Sequence, residues 1–204
     1  GSEESYSTHP DGATRIKEFR GTVNALNANG LRVGMDVVYT NTAASGQDDK
    51  SVLDKVVPGY YYRYDVNGNL QTSSCCSDTA CEYEMMEKMM IDTVLRFATD
   101  YKVDGFRFDL MNLHTQKNMT NLKAKVDEIN TNDSNRKIYL YGEGWDFGSA
   151  MDKGLTSCPD CYAKQWNMKG TGIGTFNDKI RDAAHGGYNT DSTGIRHQGF
   201  INGL

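Results

Sequence analysis

The chain has 204 residues, 38% of them hydrophobic, and a formal net charge of −5. That length supports one sizeable core, and an acidic balance without a Lys/Arg cluster argues against nucleic acid or an anionic membrane as partner. No apolar run approaches the roughly 20 residues of a membrane-spanning helix.

The chain starts on Gly1-Ser2 with no charged-then-apolar leader, as expected of a processed or cut piece, and nothing in it separates a secreted from a cytoplasmic setting. From Asp11 onward, Ile16, Phe19, Val23 and Leu26 recur at helical spacing. Asp11 is a natural N-cap and Gly30 a natural stop. The run Leu31–Tyr39 is short, apolar and β-branched, which predicts a buried strand. Asp36 is the charge inside it, and a buried charge needs a partner. Residues 40–81 hold no sustained period, only Pro58-Gly59, a tyrosine cluster, Asn67-Gly68 and a Ser/Cys tract. A loop of that length within a domain is usually functional or an inserted subdomain.

Tyr83, Met86, Met90, Val94 and Phe97 form a helical stripe. A strand over about 103–109, a helix near 118–129 and a strand over Ile138–Gly142 follow. A further short strand is predicted at 172–176 and a helix start at 177–184. Alternation of this kind predicts parallel βα units.

Two of these strands end in chemistry. In extended backbone, Arg107 and Asp109 share one face, with Phe106 and Phe108 on the other. A fixed guanidinium beside Asp109 favours its charged form, as a carboxylate nucleophile requires. A structural ion pair reads equally well from this stretch alone. The next strand ends in Gly142-Glu143-Gly144-Trp145. Glu143 has no obvious cation beside it in sequence, and burial against Trp145 would favour the protonated form that a general acid uses. Trp145 offers either a stacking face for a sugar ring or ordinary rim packing. Paired carboxylates at the C-terminal rim of parallel strands suit glycoside hydrolysis.

The cysteines are Cys75, Cys76, Cys81, Cys158 and Cys161. An odd count in a chain this long does not read as a disulfide framework. Cys158-Pro-Asp-Cys161 has zinc or redox spacing, but no second pair matches it. Loop thiols or one local disulfide are expected instead.

The stretches Met35–Tyr39, Val52–Tyr61, Cys75–Ala80, Met85–Lys88, Asp104–Met111, Tyr141–Trp145 and Gly170–Asp178 together resemble type I pullulanases of the α-amylase clan, glycoside hydrolase family 13. The resemblance runs from near residue 4 to about residue 187. It implies an α/β fold, part of a (β/α)8 TIM barrel from the end of strand two through strand six, with a long loop after strand three. The whole chain, 1–204, would lie inside that catalytic domain. The implied activity is retaining hydrolysis of α-1,6-glucosidic branches in pullulan, starch or glycogen. Asp109 matches the nucleophile, Glu143 the acid/base, and Arg107 the arginine that orients the nucleophile. Asp36, Tyr39, Asn41, His114 and Trp145 fall in substrate-binding stretches. The alternative is a non-catalytic relative that binds carbohydrate or a partner chain, against which the presence of Asp109, Glu143 and Arg107 argues.

Two departures bear on the implied activity. Asn41 stands where the family has a histidine, and it hydrogen-bonds without carrying charge. Strands one, two, seven and eight, and the seventh-strand aspartate and histidine, have no counterpart, so the isolated chain is expected to be inactive. Paired-carboxylate hydrolysis requires no cofactor. Relatives of this kind often bind calcium near the barrel loops, but Thr40 replaces an asparagine ligand, so no metal site is assigned.

Overall fold

The computed structural model describes residues 6–9, 11–133, 135–148, 161–186 and 199–201. Within them, helix α1 (Gly12–Ala28) leads to strand β1 (Gly34–Val37). Asp11 occupies the N-cap position, though its side chain makes no cap bond. Gly30, with φ of 76°, turns the chain out of the helix as its sequence position predicts. Strand β2 (Asn41–Thr42), a single helical turn α2 (Leu53–Val56) and strand β3 (Ser77–Asp78) fill the long loop. Helix α3 (Glu84–Asp100), strand β4 (Gly105–Phe108), helix α4 (Gln116–Asn132) and strand β5 (Tyr139–Gly142) complete the alternation. Strand β6 (Gly174–Thr175) and helix α5 (Asp178–His185) follow.

The main sheet has the order β1-β4-β5-β6, and β4 pairs parallel with both β1 and β5. The predicted alternation of strands and helices therefore forms a parallel α/β sheet. Phe106, Phe108 and Leu140 pack with Met90, Val94 and Ala98 of α3 and with Met119, Leu122 and Val126 of α4. The helices thus cover the face carrying Phe106 and Phe108. Helix α4 starts at a reciprocal capping box between Thr115 and Asn118, which satisfies donors that the first turn leaves free.

One burial expectation is corrected. Of β1, only Val37 is buried, and the Asp36 side chain is 64% exposed. Strand β1 ends the sheet order, and its carboxylate face is open, so an apolar-looking run need not be buried on both sides.

The long loop is ordered as a small antiparallel unit, not a structureless stretch. Strand β2 pairs with β3, aligning Asn41 with Asp78, and Tyr62 bridges Thr79. Buried Asp54 ties the loop together by accepting from the amides of Gly46 (2.5 Å) and Gly59 (3.0 Å). Buried Arg63 donates to Glu82 (2.6 Å) and to the Leu113 carbonyl (3.3 Å), bracing this unit against the turn after β4.

Of the expected loop thiols or one local disulfide, the structure has the local disulfide and one further bonded cysteine. Cys75 and Cys76 are disulfide-bonded to each other, Cys161 is disulfide-bonded, and Cys81 is free and buried. Spacing rules miss the first pair because they look for separated cysteines. Cys158 lies outside the described residues, as do 1–5 and 187–198.

The chain divides into two compact units, Gly1–Gly174 and Thr175–Leu204. In the second, Asn177 caps α5 by accepting from the Ile180 amide at 3.0 Å. The amides of Phe200 and Ile201 donate to the carbonyls of Ala183 and Ala184 at the helix end.

Candidate active site

The strand register assembles the site. Asp36 aligns with Arg107 across β1 and β4, and Arg107 aligns with Tyr141 across β4 and β5. Two residues further along each chain, on the same face, come Asp109 and Glu143. Parallel pairing continues just past the strands, since the Asp109 amide donates to Val37 O (3.0 Å) and the Glu143 amide to Phe108 O (3.1 Å). All these groups sit at the C-terminal ends of the strands, on the face opposite the helices.

Arg107 is the hub. Its Nη1 donates to Asp36 Oδ1 (2.9 Å) and to Asp109 Oδ1 (2.7 Å), and its Nη2 donates to Glu143 Oε1 (2.7 Å). The Arg107 side chain is 19% exposed, Glu143 19% and Asp109 31%. Burial alone would lower the Arg107 pKa, but hydrogen bonds to Asp36 and Asp109 and the Glu143 charge outweigh it and hold the guanidinium above its ordinary value. The planar fork lets one cation address three carboxylates at defined angles, which a lysine could not do. The sequence premise that Glu143 lacks a neighbouring cation is therefore wrong. The cation comes from the adjacent strand, which linear proximity cannot show.

Glu143 has a second donor, the Leu110 amide, at 3.0 Å from Oε2. Leu110 adopts a left-handed conformation, φ 47°, uncommon for a residue with a side chain. That turn, immediately after Asp109, aims the amide at Glu143. Strain of this kind concentrates at functional sites.

The glycines around Glu143 have a packing reason. A Cβ on Gly142 would lie 2.6 Å from the Phe108 carbonyl oxygen, and one on Gly144 would lie 2.7 Å from the Gln165 amide nitrogen. Backbone thus packs closely against the residues on either side of Glu143. Gly144→Ala is thus expected to cost about 1–3 kcal/mol, as overpacking does, with urea unfolding as the check; an unchanged midpoint would refute this packing role.

The other sequence-selected residues lie elsewhere. Tyr39 packs against the core, its ring tilted on Phe108 at 6.2 Å, and burial raises its hydroxyl pKa despite a hydrogen bond to Thr93. Asn41 is half-buried in the β2–β3 pair, and Trp145 is half-buried on the segment after Glu143. His114 is fully buried, edge-on to Phe108 at 6.0 Å, and its Nε2 has no hydrogen-bond partner. Tyr39 and His114 therefore face the core and not the carboxylates. Sequence reading missed Tyr141, although it precedes Glu143 by the interval that separates Arg107 from Asp109. It also missed buried Lys164, which pairs with Asp146 at 2.9 Å beside Trp145. No local pattern marks Lys164.

Burial pushes the His114 pKa down to about 3, with the Arg63 charge contributing. The folded value lies below the unfolded one, so the unfolded chain binds the extra proton. Stability from this group is full above pH 6.5 and falls as pH drops, by about 1.4 kcal/mol per pH unit while the folded ring stays neutral. His114→Gln should flatten the fall in stability between pH 6.5 and 4, measured by urea unfolding. An unaltered slope would exclude His114 as its source.

Among the described residues, no group of three or more His, Cys, Asp or Glu side chains is arranged to hold a metal. No helix among them is long and apolar enough to cross a membrane.

No protein family's sequence profile matches the chain. Individual proteins do. Chloroplastic pullulanase 1 of Arabidopsis thaliana is 45% identical over 204 residues, covering 98% of this chain and 20% of the relative. The pullulanase of Klebsiella pneumoniae is 44% identical over 193 residues, covering 93% of this chain and 17% of the relative. Over nearly its whole length, the chain matches a segment of pullulanases. The solved maltotriose complex of PulA from Klebsiella pneumoniae agrees in fold, with a TM-score of 0.84 at 43% identity over 96% of this chain and 20% of that one. The chain thus spans 17–20% of the length of those curated pullulanases.

Proposed function

We propose that this chain carries the nucleophile and the acid/base of a pullulanase-type hydrolase, which cleaves α-1,6-glucosidic branches of α-glucans with retention of configuration. The observation that carries the reading is the single guanidinium of Arg107 joining Asp109 and Glu143 at the ends of neighbouring parallel strands. The maltotriose held by a related pullulanase supports an α-glucan as the ligand class. The parallel sheet with helices on one face supports a (β/α)8 barrel as the complete fold, of which β1, β4, β5 and β6 supply part.

In this mechanism Glu143 protonates the glycosidic oxygen as the carboxylate of Asp109 attacks the anomeric carbon. A glycosyl ester forms on Asp109, and the leaving chain departs with the proton. Glu143, now a carboxylate, takes a proton from water, which attacks the same carbon and frees Asp109. Two inversions leave the configuration retained. Arg107 holds both groups so that neither must be ordered at the moment of reaction. No cofactor enters these steps.

Asn41, where the family has a histidine, is the one observation favouring a non-catalytic carbohydrate-binding relative. Incubation with pullulan and assay of reducing ends separates the readings. A complete barrel containing this segment should release sugar, whereas the isolated 204 residues should not. A complete barrel that binds maltotriose without hydrolysing pullulan would establish the non-catalytic reading instead.

A further inference from the structure

Cys75 and Cys76 are bonded to each other at a sequence separation of one, and Cys75 is exposed. A disulfide constrains the unfolded chain in proportion to the logarithm of the loop it closes, and this is the shortest loop available. It therefore contributes little as a global staple. Its effect is local, on the hairpin that contains it.

That hairpin is bound to β2 on one side and to the segments following Asp109 and Glu143 on the other. The Ser73 amide donates to Asp78 Oδ1 at 2.9 Å, and the Ser73 hydroxyl bonds the other oxygen of the same carboxylate. Asp78 is fully buried, and its amide donates to Gln71 O at 2.9 Å. Residues 71–78 are thus closed on themselves, with the disulfide at the tip. On one side, Asp78 pairs with Asn41. On the other, Ser73 packs against Gly148, where a Cβ would lie 2.8 Å from the Ser73 hydroxyl oxygen and 2.8 Å from Leu113 Cδ2. Gly148 lies on the segment that follows Glu143, and Leu113 lies in the turn after Asp109.

We propose that Cys75–Cys76 is a thiol–disulfide exchange site for a dithiol reductant, and that its reduction loosens the 71–78 hairpin and the Glu143–Gly148 segment against it. A reductant thiolate attacks the exposed Cys75 sulfur, and the Cys76 thiolate leaves and takes a proton. The second reductant thiol then attacks the mixed disulfide, freeing Cys75 as a thiol and leaving the reductant oxidised. Two electrons and two protons pass to the protein. Cys81 does not intercept the exchange, because it is buried, and burial pushes its thiol up to about 12.

The test uses the full chain purified without reductant, with alkylation sites mapped by mass spectrometry and amide hydrogen exchange followed per residue. Before reduction the Cys75–Cys76 peptide should take up no alkyl group. After about 10 mM dithiothreitol under native conditions it should take up two. Exchange at the amides of Gln71, Ser73, Asp78 and Gly148 should accelerate roughly tenfold or more. The double variant Cys75→Ser, Cys76→Ser keeps the Cys161 bond, so it should exchange fast without reductant and not respond to it. Alkylation of both thiols in untreated protein would overturn the proposal. So would a pair that resists dithiothreitol in the folded chain, or reduction that leaves exchange at Gly148 unchanged.

Discussion

In a complete barrel carrying this segment, Asp109→Asn should lower kcat on pullulan about 10⁴-fold, or roughly 5 kcal/mol of barrier. The amide matches the carboxylate in shape, and its oxygen can still accept from Arg107 Nη1, which lies 2.7 Å from Asp109 Oδ1. The fold should therefore survive and KM should change little. What is lost is the nucleophile, since a neutral amide does not form the glycosyl ester. The measurement is steady-state release of reducing ends, with circular dichroism to confirm folding. A kcat within tenfold of the parent would refute the nucleophile assignment.

The second large effect is expected at Arg107, and it reaches stability as well as activity. Arg107→Met leaves Asp36, Asp109 and Glu143 facing one another without the cation that joins them. Hydrogen bonds to charged groups contribute about 1.5–3 kcal/mol each at best, and the exposure of Asp36 discounts its share. A net loss of about 2 kcal/mol is expected for the chain by urea unfolding at pH 7. Hydrolysis by the complete enzyme should fall at least about 100-fold, because Asp109 and Glu143, the proposed nucleophile and acid, lose their common anchor. Arg107→Lys separates charge from geometry. A lysine restores a point charge but not the fork, so it should recover part of the stability and little of the activity. Full recovery of both by lysine would show that Arg107 acts through charge alone.

The two variants also divide the site according to what is local and what is assembled. Arg107 and Asp109 are two residues apart, so extended backbone alone places them on one face, and Phe106 and Phe108 on the other. The structure bears this out, with both phenylalanines fully buried. The helices α1, α3 and α4 were legible for the same kind of reason. A 3.6-residue apolar period is a property of a single segment, and their bounds need no distant partner.

Other features depend on partners far away in sequence. Which cation Glu143 meets is settled by the register of β4 against β5, so a search for cations near residue 143 in the sequence finds none. Tyr39 and His114 sit in motif stretches, yet packing turns both toward Phe108 and the core. The order within residues 40–81 comes from polar groups joining separate turns, such as Asp54 to Gly46 and Gly59. No periodicity records that kind of order.

By itself, then, the sequence determined the alternation of strands and helices, the apolar faces, and the pairing of Arg107 with Asp109, because each follows from backbone periodicity over a few residues. Tertiary structure alone decided that Asp36 and Glu143 converge on the same guanidinium. It also decided that glycines 142 and 144 are pressed by backbone, and that the Cys75–Cys76 hairpin lies against the Glu143 segment. Those are contacts between chain-distant atoms, set by strand register and packing, which no local pattern encodes.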